Sequence, residues 1–131
     1  MPTMMRVCAI SFVFLSLWTG TGHADSGDCG EGWRTLGTVT AVQKKEREGI
    51  DIKKPGIQEI RFGALGGEAD IGHVHLTFEQ LGEWRLGHPG YVTAGEFSRA
   101  YPIPKEYRDF RRISMEVVAP NKKTTVLVCG R

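Results

Sequence analysis

Beyond residue 32 the chain carries no sustained helical period. What recurs is alternation of apolar and polar residues over short runs bounded by Gly and Pro. Trp33 to Val42 predicts a first strand, with Gly37 as a candidate bulge inside it. Gly49 to Lys53 predicts a second, Ile50 and Ile52 on one face and Asp51 on the other. Lys54-Pro55-Gly56-Ile57 places Pro at i+1 and Gly at i+2, as a type II turn requires. Gln58, Ile60, Phe62 and Ala64 then form the inward face of a third strand, with Glu59 and Arg61 outward, and Gly66-Gly67 ends it. The clearest strand is Ala69 to Phe78, where Val74, Leu76 and Phe78 alternate with His73, His75 and Thr77.

After a turn at 79–82, Glu83 to Leu86 predicts a short fifth strand, and Gly87-His88-Pro89-Gly90 reads as a loop. Phe97 to Ile103 is extended, its end held at a sheet edge by Pro102 and Pro104. Lys105 to Phe110 suits one helical turn. Arg111 to Val118 alternates again, with Ile113, Met115 and Val117 inward, and Thr124 to Cys129 is a final strand. About eight short strands in about 100 residues, with turn signals at that spacing, predict a single antiparallel β-sandwich or barrel-like domain. Local alternation does not choose between the two. No internal repeat or linker divides the run, so it is one domain.

The first 24 residues break this pattern and read as an export signal. Arg6 is the one charge of a short leading region, Val7 to Trp18 an apolar core, and Gly22-His23-Ala24 a cleavage site with small residues at −3 and −1. The apolar core is shorter than the about 20 residues that span a bilayer, so the mature chain, 25–131, has no transmembrane anchor. It is expected in the periplasm or outside the cell. Neither Cys8 nor Cys29 lies in a lipid-attachment motif, and Asn121, followed by Lys122-Lys123, is no glycosylation acceptor.

Cysteine count sharpens that expectation. Cys8 leaves with the signal, and Cys29 and Cys129 sit near the two ends of what remains. In an oxidising compartment they read as one disulfide clamping the ends; the rival, two free thiols of a redox or metal site, lacks a C-x-x-C spacing. The mature net charge is about +1, which gives no field suited to nucleic acid or a membrane surface.

The sharpest chemical candidate is His73-Val74-His75. Residues i and i+2 of a strand share a face, so both imidazoles would project together and could ligate a divalent transition metal. His88, Glu68, Asp70 or Glu83 would be the third ligand; the plainer reading is two solvent-facing histidines. A second candidate is a binding surface of Trp84, His88 and Tyr91, unless Trp84 belongs to the core with Trp33. A third is the group Arg99, Arg108 and Arg112, whose guanidinium forks suit a carboxylate or phosphate. Pairing of Arg108 or Arg111 with Asp109, or of the group with Glu96, Glu106 and Glu116, accounts for the same residues. Hydrolase signatures are missing: no Gly-x-Ser-x-Gly occurs, and Ser26, Ser98 and Ser114 have no neighbouring histidine. Asp51, Glu59, Asp70 and Glu116 are left as carboxylates that could meet across strands, the minimum for a small hydrolase. Gly63-Ala64-Leu65-Gly66-Gly67 follows a strand without a helix behind it and reads as a hairpin loop.

Several short segments carry a likeness: Trp33-x-x-Leu36-Gly37, Asp51-Ile52, Ile60-Arg61-Phe62, Val74-His75-Leu76-Thr77-Phe78, Ala94-Gly95-Glu96-Phe97-Ser98-Arg99 and Arg112-Ile113-Ser114-Met115. In this order they resemble small exported bacterial proteins grouped as a domain of unknown function. The resemblance covers nearly all of the mature chain. It implies a β-sandwich and an envelope location, and no catalytic residue. Together these readings point to an exported, non-enzymatic module that binds a protein or envelope component, with metal binding through His73 and His75 and carboxylate-based hydrolysis as the alternatives. An inhibitor of an envelope-degrading enzyme would be one version of the first, with Gly87 to Gly95 as its exposed loop.

Overall fold

The computed structural model describes residues 28–53, 56–78 and 82–131. The predicted export signal, Cys8, Lys54-Pro55 and the turn at 79–81 lie outside them. Among the described residues nine strands are present: β1 (Arg34–Ala41), β2 (Glu46–Asp51), β3 (Glu59–Leu65), β4 (Ala69–Phe78), β5 (Gly82–Gly87), β6 (Gly90–Val92), β7 (Tyr101–Pro102), β8 (Arg112–Val118) and β9 (Thr124–Gly130). One 3-10 turn, Lys105–Tyr107, stands where a helical turn was expected. The strands form two antiparallel sheets, β1-β9-β3-β7 and β2-β8-β4-β5, with β6 also paired to β4. No strand is shared and neither sheet closes on itself, so the domain is a β-sandwich rather than a barrel.

Alternation explains which face each strand buries. In β8, Ile113, Met115 and Val117 are buried while Ser114, Glu116 and Val118 are not. They meet Ile60, Phe62 and Ala64 of β3, and Val126 and Val128 of β9, across the sandwich. Gln58, expected on that inward face, is exposed because β3 begins only at Glu59. Glu48, register partner of the buried Met115, is an inward-pointing charge on edge strand β2, a feature that discourages pairing with another sheet. The Gly66-Gly67 step is no hairpin: it carries the chain from β3 in one sheet to β4 in the other.

Strand β9 does not alternate, because both of its faces are covered. Val126 and Val128 face the main core, while Leu127 and Cys129 face a second cluster with Cys29, Trp33, Leu65 and Phe97. The Cys29–Cys129 disulfide is formed, with S–S 2.03 Å, and it pins the segment before β1 onto the outside of the first sheet. Over it lies a cationic and aromatic stack. The Arg61 guanidinium sits 4.4 Å from the Trp33 ring centre and 3.9 Å from that of Phe97, and Arg131 covers Trp33 at 4.3 Å. Arg61 Nη2 donates to the Cys29 carbonyl at 2.7 Å, while its buried Nε has no partner. Burial, with Arg131 adding repulsion, holds the Arg61 guanidinium below its ordinary pKa.

Candidate functional site

The most unusual backbone lies in the middle of β4. Ala69 and Ile71 are buried at one parity, and Val74, Leu76 and Phe78 at the other. The switch is a bulge. Gly72 pairs Glu116 and His75 pairs Ser114, so three steps along β4 match two along β8. His73 takes up the extra residue with φ 47°, the one positive φ at a non-glycine among the described residues. Histidine tolerates this left-handed region better than most side chains, but at a cost.

Facing the bulge, the neighbouring strand is broken. β5 pairs with β4 up to Gly87 opposite Val74, and β6 resumes at Gly90 opposite Ile71. Between them Pro89 has no N–H to offer a ladder. The expected loop of Gly87 to Gly90 thus shrinks to His88-Pro89. The exposed loop proposed up to Gly95 is replaced in part by β6, whose Val92 is buried opposite Ala69.

Break and bulge bring His88 to His73, ring centres 5.3 Å apart and planes at 85°. Gly72 makes room for it: a Cβ there would stand 2.7 Å from His88 Cε1. Glu116 on β8 completes the group, its Oε1 3.8 Å from His73 Nε2 and its Oε2 3.6 Å from Arg47. With Lys45 and Asp70, the residues Gly72, His73, His88 and Glu116 line a depression of about 40 Å³. Tyr91, register partner of Asp70, stands beside it with 64% of its surface exposed, the one exposed large hydrophobic among the described residues.

The H-x-H pair is therefore divided rather than convergent. His75 Nδ1 lies 3.3 Å from Arg47 Nη2 and 3.5 Å from Glu83 Oε1. It can accept from Arg47 when neutral or donate to Glu83 when protonated. His73 belongs to His88 and Glu116. Of the expected third ligands, Glu83 stands with His75, Asp70 and His88 with His73, and Glu68 accepts from Asn121 Nδ2 at 3.0 Å. Among the described residues no three His, Cys, Asp or Glu side chains are arranged to hold a metal ion.

The remaining candidates are spread over the molecule. Trp84 is half-buried against the main core and stacks on Tyr107, ring centres 5.0 Å apart and planes at 12°. Trp33 belongs to the other cluster, so the two tryptophans do not share a core. Arg99 lies over Tyr101 at 4.4 Å, and Arg108 Nε donates to the Ile103 carbonyl at 2.9 Å. Arg112, at the start of β8, pairs Asp51 at 2.7 Å. Its partner is thus none of Glu96, Glu106 or Glu116. Of the four carboxylates, Glu59 pairs Arg131 and Asp51 pairs Arg112, each at 2.7 Å, while Asp70 and Glu116 line a common surface on which Glu116 also meets Arg47 and His73.

Lys45, Arg47 and Gly72 are the members of this cluster that the sequence pattern did not single out; Glu116 stood there only as a cross-strand carboxylate. A glycine inside an alternating strand was the available signal for a bulge. Compared with known proteins, the chain matches no family model, no curated protein and no solved structure.

Proposed function

We propose that this chain is an exported, non-enzymatic binding module that engages a protein or envelope component through the surface around His73, His88 and Tyr91. The observation that carries this reading is the left-handed His73 in a central strand, which costs about 1–2 kcal/mol and re-aims an imidazole outward. Tyr91 beside it is the kind of flat amphipathic side chain on which partners anchor. The disulfide suits an oxidising compartment, and no helix among the described residues is long and apolar enough to cross a membrane. The apolar leader and the resemblance to exported β-sandwich proteins point the same way.

The test is affinity capture from an envelope extract with oxidised protein as bait, beside a Tyr91→Ser/His88→Ala bait of equal melting temperature. A dominant partner retained by the parent, lost with the variant and kept through a chelator wash supports the reading. Identical capture by both baits contradicts it. Loss in the chelator wash moves the reading to metal binding by the histidines.

A further inference from the structure

A second cavity lies away from the bulge, where β1 and β2 meet. β1 and β2 each end their sheet, and they face one another closely enough that a Cβ on Gly37 would stand 2.9 Å from Ile50. Toward the start of β1 and the end of β2 this seam opens into a cavity of about 430 Å³, within the size range of small-molecule sites. Two features open it. β1 bulges at Leu36, where its register on β9 slips between Thr35 and Gly37. Beyond Asp51, β2 ends after one further bond in the same register, from the Ile52 amide to the Arg111 carbonyl at 2.8 Å.

The lining has a distinct chemistry. Leu36 and Ile52, both half-buried against the main core, form an apolar floor. Arg34 and Lys53 stand at the rim, exposed, and among the described residues neither has an ion-pair or side-chain hydrogen-bond partner. The one acid there, Asp51, is already held by Arg112 at 2.7 Å. An apolar floor under two unanswered cations is complementary to a molecule with an apolar body and an anionic head.

We infer that this cavity binds a small monocarboxylate with an aliphatic body, the chain on Leu36 and Ile52 and the carboxylate between Arg34 and Lys53. The fork of Arg34 matches a carboxylate's two oxygens, and Lys53 adds a point charge. Asp51 at the same rim is engaged by Arg112 and does not compete for either cation. This site is separate from the bulge surface and stands or falls independently of the partner reading.

The test is titration of the oxidised protein with octanoate, octylammonium and octyl phosphate, followed by amide chemical shifts. Octanoate is expected to give saturable shifts confined to residues 34–36 and 51–53 and their strand neighbours, and octylammonium none there. Arg34→Gln and Lys53→Gln are each expected to weaken octanoate by about fivefold at unchanged melting temperature, since neither side chain has a partner to lose. Lys105→Gln, an exposed cation outside the cavity, serves as the control and leaves affinity unchanged. Absence of saturable shifts at those residues, equal binding of octylammonium, or affinity unaffected by both glutamines overturns the inference. Tighter binding of octyl phosphate than of octanoate overturns the assignment of a carboxylate head.

Discussion

The imidazole of His88 stands edge-on to that of His73, 5.3 Å between ring centres, over a glycine with no Cβ to push it away. Gly72→Ala puts a methyl 2.7 Å from His88 Cε1. His88 is exposed and free to swing, and φ at Gly72 is not in the left-handed region. The substitution is therefore expected to displace His88 and change stability by no more than about 1 kcal/mol. Imidazole proton shifts of His73 and His88 read the displacement; unchanged shifts in a folded variant contradict the packing described.

Arg61 is held by its plane as much as by its charge. Its guanidinium lies between Trp33 and Phe97 and donates to the Cys29 carbonyl, so lysine keeps the charge and loses the stack and the fork. Arg61→Lys is expected to cost about 1–2 kcal/mol in urea unfolding with the disulfide intact. Parent-like stability would show that the stack contributes nothing.

The Cys29–Cys129 bridge closes a separation of 100 residues and keeps Leu127 and Trp33 covered. Cys29→Ser/Cys129→Ser is expected to lower stability by about 2–5 kcal/mol, with tryptophan emission shifted to the red as the outer cluster loosens. A variant with parent-like melting and emission would place the stability elsewhere.

Trp84 closes one side of the sandwich by stacking on Tyr107, which also packs Phe78 at 5.5 Å. Tyr107→Ser removes that contact and is expected to cost about 1–3 kcal/mol. If thermal unfolding shows no loss, Trp84 is a surface residue and not part of the core.

Much of the fold was legible because burial on one face writes itself as alternation. The bounds Ala69–Phe78 were read correctly, as was the inward set Ile113, Met115 and Val117. β9 was legible as a strand but not in its surroundings, since Val126 to Cys129 runs apolar without a break when both faces are covered. β6 is three residues, Gly-Tyr-Val, too short to show a period. The site was legible only in part. Strict two-residue alternation places His73 with His75, and one extra residue in the strand sends them to different partners. The approach of Glu116 and Arg47 depends on cross-strand register, which no local pattern carries. Arg34 and Lys53 lie far apart in the chain and are joined only by the two sheet edges.

The claim that His73 is held in a strained conformation for binding is tested most directly by His73→Gly, measured for melting temperature and for capture of the envelope partner. Glycine adopts the left-handed region without penalty but adds unfolded-state entropy, so the account predicts a gain of up to about 1 kcal/mol together with weaker capture. A variant that is less stable than the parent, or one that captures the partner undiminished, would contradict it.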